Sequence, residues 1–187
     1  MLYYPKKGGF LMNIIDAIST RRSMRQFTSR PISNDDLHTI LAAGMSGPSA
    51  VNARPWSFLV VRDRETLCKM ADGNGNAAQP LKGAALGILV LGDMTRTFER
   101  APKYWVIDCS IAAQNMILAA HGLGIGSVWL GTWPQEEKIA AQRNLFDLPE
   151  SVVPHSIIAF GYPEASQKDL PARGGYEDDR VHFEKWQ

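Results

Sequence analysis

Between Tyr104 and His121 the chain is mostly apolar all round a helical pattern, with Trp105, Val106, Ile107, Ile111, Ala112, Met116, Ile117 and Leu118 spread over every side. Such a helix has no broad face to give to water, so it belongs inside a core or against another subunit. Ala85 to Leu91 is a second unbroken apolar run, of a length that suits a buried strand. A chain holding both must build a layered core in which helices cover a sheet. Its 187 residues are enough for one domain with a real interior.

Local signals supply the other elements. Asn13 can cap a helix through Ile14, Ile15 and Ile18, and Ser33 with Asp36 three residues on resembles a capping box for a helix through Leu37, Ile40 and Leu41. Gly44, Gly47 and Pro48 end that helix, and Pro48 to Trp56 reads as a loop. Strands are expected at Ser57–Val61, Ala85–Leu91, Ser127–Leu130 and Val152–Phe160. Helices are expected over Arg62–Ala71 and from Pro134 through Ala141, with Asp72 to Asn76 as a turn. From Glu164 onward a polar tail carries Tyr176, Phe183 and Trp186, the pattern of an arm that lies over another surface. The fold class is α+β.

The net charge is only +1, which argues against a polyanion as partner, because nucleic-acid binders spread a basic excess along a face. No segment is long and apolar enough to span a membrane. Cys68 and Cys109 make no disulfide framework, and His38, His121, His155 and His182 match no metal pattern. No metal site and a cytoplasmic setting are therefore expected. The opening residues are too short and glycine-rich for a secretory signal. Lys7-Gly8-Gly9 can be encoded by a purine-rich run like a bacterial ribosome-binding site, a few codons before Met12. Residues 1–12 are therefore expected to be an extension, with translation starting at Met12, and residues 13–187 to form the working domain.

The chemistry-bearing stretch is Arg21-Arg22-Ser23-Met24-Arg25. Arginine grips phosphate through a planar fork, so a local cluster in a nearly neutral chain suits a small phosphorylated ligand. Arginines that complement a helix C-terminus and stay solvated are the alternative. The run Gly122-Leu123-Gly124 is not a dinucleotide fingerprint, since it lies between a helix and a strand in the reverse order, and a helix C-cap is the better reading. A glycine at Gly131, at the far end of the next strand, lets backbone approach a flat ligand. No nucleophile elbow, Cys/His pair or His-rich set is present. A phosphate clamp without an evident acid, base or nucleophile suits a protein whose cofactor carries the chemistry.

In that light, five motifs in order resemble the FMN-dependent nitroreductase family, over about Ile14 to Trp186: Arg21-Arg22-Ser23-x-Arg25-x-Phe27, Pro48-Ser49-Ala50-x-Asn52-x-x-Pro55-Trp56-x-Phe58, Gly122-Leu123-Gly124 through Trp129-Leu130-Gly131, Gly161-Tyr162-Pro163 and Val181-His182-Phe183-Glu184-Lys185-Trp186. The resemblance implies a mostly antiparallel sheet flanked by helices, with the long helix at the interface of a homodimer and the C-terminal arm exchanged between subunits. It implies FMN at that interface, with NADH or NADPH as donor and a nitroaromatic, quinone or similar small acceptor, served in turn by a ping-pong mechanism. No residue is then catalytic in its own right. The cofactor residues it implies are Arg21, Arg22 and Ser23, with Arg173 as a second phosphate cation and Arg25 near the flavin N1/O2 edge. Pro48, Ser49, Ala50 and Asn52 would reach the partner's FMN, Asn76 the pyrimidine side, and Gly131 and Thr132 the N5 region. Arg54 stands where many members have glutamine and either adds charge beside the site or points to solvent. Gln79 stands where some relatives carry lysine. Enoate reduction, dehalogenation, flavin fragmentation, or flavin binding without turnover remain as alternatives.

Overall fold

The computed structural model describes residues 12–167 and 175–186. A four-stranded antiparallel sheet in the order β1-β2-β4-β3 is its centre, built from β1 (Trp56–Val61), β2 (Leu86–Asp93), β3 (Gly126–Gly131) and β4 (Val152–Gly161). Alternation along the strands sorts side chains into two cores. Leu86, Ile88, Val90, Ile158 and Phe160 face one way, where they meet α2 (Asn34–Met45) and α4 (Trp105–Gly122). Leu89, Leu91, Val128, Leu130, Ile157 and Ala159 face the other, toward α3 (Arg64–Asn74), the 3-10 segment Asn76–Gly83 and α5 (Glu136–Leu145). The architecture is the α+β sheet-and-helix arrangement expected.

The capping signals act as the sequence suggests. Asn13 and Ser33 accept the Asp16 and Asp36 amides at the starts of α1 (Ile14–Thr20) and α2. Gly124, at φ 73, follows the end of α4, and its N–H donates to His121 O, the C-cap role expected for this run. Three differences from the expected boundaries bear on packing. The stretch Asp72 to Asn74 is the last turn of α3 rather than a turn between elements, because Gly73 leaves room for Ala141 of α5 and Asn74 is buried. Gly44 is buried inside α2, where a Cβ would come within 2.8 Å of Met116 Cγ on α4. Pro134 precedes α5, which opens two residues later at Glu136.

One irregularity shapes the site. Val90 pairs with Ser156 and Leu91 with Pro154, so His155 is an extra residue bulged out of β4. Bulges re-aim side chains beside functional sites. Here the bulge turns His155 onto α4, where its Nε2 lies 3.2 Å from Ser110 Oγ.

Candidate functional site

After α1 the chain runs extended along the outer edge of β3. Met24 N donates to Ser127 O at 2.9 Å, Ser23 bridges Ser127 in parallel, and Thr28 N donates to Tyr162 O at 2.8 Å. Two glycines make the approach possible. A Cβ on Gly126 would sit 2.9 Å from Met24 Cβ, and one on Gly161 would sit 2.8 Å from Phe27 Cβ. Alternation buries Arg22 and Met24 and turns Arg21, Ser23 and Arg25 to the open side.

The three guanidiniums therefore have different work. Arg22 points inward, where its Nη1 donates to Arg21 O at 2.6 Å and to Ser19 O at 3.4 Å, closing the end of α1. Arg25 Nη1 donates to Ser23 O at 3.2 Å, and its own N–H donates to Gln167 Oε1, so the segment leading to the tail starts beside it. Among the described residues no carboxylate pairs with Arg21 or Arg25. The charge is felt nearby. His121, whose Nε2 lies 2.8 Å from Thr20 Oγ1, is held below the usual histidine range, first by burial and then by the positive charges of Arg21 and Arg22. Arg173 lies outside the described residues.

At the far end of β3 the backbone is fixed from beneath. Asn74, buried, donates from Nδ2 to Gly131 O at 3.1 Å and accepts from Thr132 Oγ1 at 2.8 Å. Lys138 Nζ donates to Gly131 O at 3.3 Å. Gly131 itself is exposed, and a Cβ there would meet nothing within 4 Å. Asn76 and Gln79 lie exposed just beyond, past Gly75 at φ 83. Asn74 and Lys138 escape sequence reasoning. Nothing local separates Asn74 from its polar neighbours until the end of α3 is known.

Pro48 to Asn52 is held by α4 instead. Ala50 N donates to Asp108 Oδ1 at 3.0 Å, so buried Asp108 ties the loop to α4. Val51, Asn52 and Arg54 all sit at positive φ (47°, 58° and 52°). A β-branched residue there is strained, and such strain collects at ligand-binding loops. Arg54 is exposed and donates from Nη2 to Met45 O at 3.0 Å. Between this loop and α4 lies a groove of about 330 Å³ lined by Pro48, Ser49, Ala50, Tyr104, Ile107, Asp108 and Ile111.

Trp105 and His155, both buried, form a hub next to β3. His155 meets Trp105 at 5.7 Å and Trp129 at 5.6 Å, and Trp105 meets Trp133 at 5.1 Å, all near edge-to-face. Ser110 Oγ donates to Val106 O, so the His155 proton sits on Nε2 facing that oxygen, while Nδ1 takes the Ser156 hydroxyl. Burial depresses the His155 pKa to about 4, so the ring is neutral near pH 7. Burial likewise pushes the Cys109 thiol up to about 12, which leaves it inert as a nucleophile.

An uncompensated guanidinium beside a hydroxyl at one end of β3 and bare, braced backbone at the other suit a ligand with an anionic end and a flat end. The nitroreductase family model matches residues 18–89 and 74–162. The chain belongs to the nitroreductase family. It is 44% identical over 175 residues to a Methanothermobacter thermautotrophicus protein named "Putative NADH dehydrogenase/NAD(P)H nitroreductase", covering 94% of this chain and 88% of that one. An FMN-dependent nitroreductase from Clostridium difficile superposes with a TM-score of 0.83 at 27% identity, covering 92% of this chain and 99% of its own. An NADPH:FMN oxidoreductase from Vibrio harveyi complexed with NAD+ gives a TM-score of 0.81 at 26% identity, covering 93% and 78%.

Proposed function

We propose that this nitroreductase-family protein is an FMN-dependent NAD(P)H oxidoreductase that works as a cytoplasmic homodimer on nitroaromatics, quinones and similar small acceptors. One observation carries the reading: Arg21, unpaired by any described carboxylate, and the bare backbone of Gly131 stand at opposite ends of β3 in a chain of this family. When bound, FMN supplies the redox chemistry, taking electrons from NAD(P)H and giving them to the acceptor in separate visits.

The chain's own residues bind and orient. Arg21 and Ser23 hold the phosphate, with Arg173 from the tail as second cation. Arg22 belongs to the same site by fixing the turn that aims Arg21 outward. Arg25 offers a positive charge to the N1/O2 edge, where a preorganised cation stabilises the charge that two-electron reduction adds. Gly131 and Thr132 present backbone to the N5 region, and Asn76 meets the pyrimidine side. The Asn74 and Lys138 contacts keep that backbone from shifting. Residues 13–187 act as one FMN-binding domain, behind an extension of residues 1–12.

What one chain leaves uncovered supports the dimer. Ile14, Ile15 and Ile18 on α1 and Ile107 on α4 are exposed, as are Tyr176, Phe183 and Trp186 on the tail. Among the described residues, strand β1 is an edge with one side unpaired, the natural seat for a partner's arm. Pro48, Ser49, Ala50 and Asn52 then reach the FMN of the other subunit.

The test is direct. The purified protein shows a flavin absorption spectrum and releases FMN on denaturation. NADH or NADPH bleaches it anaerobically, a nitroaromatic restores the colour, and double-reciprocal rate plots are parallel. A colourless protein that stays colourless after incubation with FMN overturns the reading.

A further inference from the structure

Strand β3 carries its large and small side chains in an order that the phosphate clamp and the open backbone leave unused. Val128 and Leu130 enter the core shared with α3 and α5, so Ser127, Trp129 and Gly131 share the opposite face. Ser127 lies beside Ser23 of the clamp, and Gly131 is the bare end. They lie four positions apart on the strand, about 13 Å. Trp129 stands midway, 37% exposed.

Its exposure is not looseness. The Trp129 ring rests on the His155 ring, and His155 is buried with both nitrogens engaged by serine hydroxyls. The imidazole is in turn wedged against buried Trp105. An indole held this firmly, with a third of its surface open beside the bare Gly131 while Ser127 on the same face is buried, presents a preset flat face to a flat aromatic ligand. Trp133 is equally exposed at 38%, but it lies past Gly131, outside the strand.

We propose that Trp129 is the surface against which the isoalloxazine ring stacks, with the His155–Ser110–Ser156 cluster as its brace. This rests on the FMN reading above and adds to it a positioning residue that acts on the ring and not on the phosphate. Stacking on an indole favours the flat ring of any flavin, phosphorylated or not, and quenches its emission on contact. Arg21, by contrast, recognises only the phosphate.

That difference sets the experiment. The parent protein and the variants Trp129→Leu, Trp133→Leu and Arg21→Ala are titrated with FMN and with riboflavin, following flavin emission, with circular dichroism to confirm folding. In the parent, bound flavin is strongly quenched. Trp129→Leu weakens FMN and riboflavin alike, by about tenfold, and restores much of the bound flavin's emission. Trp133→Leu does neither, and Arg21→Ala weakens FMN but not riboflavin. Trp129→Phe keeps an aromatic face and holds affinity within a few-fold of the parent while emission rises, which covers the case of a Trp129→Leu variant that does not fold. If Trp129→Leu and Trp129→Phe bind both flavins as tightly as the parent with emission still quenched, while Arg21→Ala loses FMN, the stacking role is wrong and the FMN reading stands. If the parent binds neither flavin, both fall together.

Discussion

The region around β3 and the region around residues 48–54 treat their exposed groups in opposite ways. Around β3 the backbone is tied down by the chain itself: Met24 to Ser127, Asn74 to Gly131 and Thr132, Trp133 N to His155 O. What stays open there is polar or small, Arg21, Ser23, Arg25 and Gly131, together with the braced Trp129. Around 48–54 the chain leaves a strained loop and an apolar groove against α4 edged by exposed Ile107, and Ile14, Ile15 and Ile18 on α1 and Tyr176, Phe183 and Trp186 on the tail are exposed as well. The first region is finished within one chain. On the proposed dimer reading, the second is finished by the partner subunit. If the proposed dimer holds, a site that draws on both regions takes one from each protomer, and losing the dimer is expected to cost the cofactor even where every β3 residue is intact.

The largest effect should come from breaking the uncovered apolar surfaces alone. Ile18→Asp with Ile107→Asp places charges where this chain exposes isoleucine, so the single-chain fold is spared while an apolar interface must bury two carboxylates. Sedimentation velocity is expected to show a folded monomer, with FMN lost on gel filtration. A variant that still sediments as a dimer with FMN bound removes α1 and α4 from the interface.

How far the two regions could be read from sequence differs for a physical reason. Caps at Asn13 and Ser33, the buried strand β2 and the covered helix α4 are written in residues a few positions apart, and they appear where expected. The arginine cluster was legible as chemistry, yet the division of labour between Arg21 and Arg22 was not, because it depends on the extended path imposed by Ser127 and by the close approaches at Gly126 and Gly161. Trp56 and Trp105 are buried, whereas Trp129 is exposed in the single chain, a difference that no local sequence pattern marks. The hub at His155 comes from a one-residue bulge, which leaves no pattern in a run such as Val152 to Phe160. Asn74 was hidden by the glycines around it, which read as a turn until packing on α5 extends α3.

Within the first region the next largest effect belongs to Asn74. Asn74→Ala removes two hydrogen bonds and leaves the buried Thr132 hydroxyl without its partner, costing about 2–3 kcal/mol of stability. Thermal unfolding should show it clearly. Asn76→Ala, exposed, should leave the melting temperature within a degree or so and change only flavin affinity. Equal losses from the two would erase the distinction between a brace beneath the backbone and a contact above it.

Arg21→Ala tests the clamp directly. One charge-assisted contact to a phosphate dianion contributes roughly 1.5–3 kcal/mol, so FMN affinity should fall by about tenfold to a hundredfold. Arg22→Lys should do less to affinity, because lysine keeps a charge but cannot make the two carbonyl contacts at the end of α1, and its signature is a lowered melting temperature. Occupying the clamp with phosphate also offsets the charge that depresses His121, so the His121 ring should titrate higher in the FMN complex than in the free protein by NMR.

The smallest effect is the pH dependence of the hub. His155 is neutral when folded and has a pKa of about 4, against about 6.5 when unfolded. Above the unfolded value neither state binds a proton there, and its contribution to stability is complete. As pH falls below 6.5 the unfolded chain takes up a proton that the folded chain refuses, so stability drops until the folded pKa is passed. The loss from this one group reaches about 2 kcal/mol by pH 5. The carboxylates titrate in the same range, so the quantity to measure is the difference between parent and His155→Gln, which keeps a hydrogen-bonding side chain but does not titrate. Their stabilities should converge as pH is lowered from 7 to 5, with the parent losing more. If the gap between them stays constant with pH, His155 is not buried neutral beneath Trp129, and the rigid brace that separates the finished region from the unfinished one loses its basis.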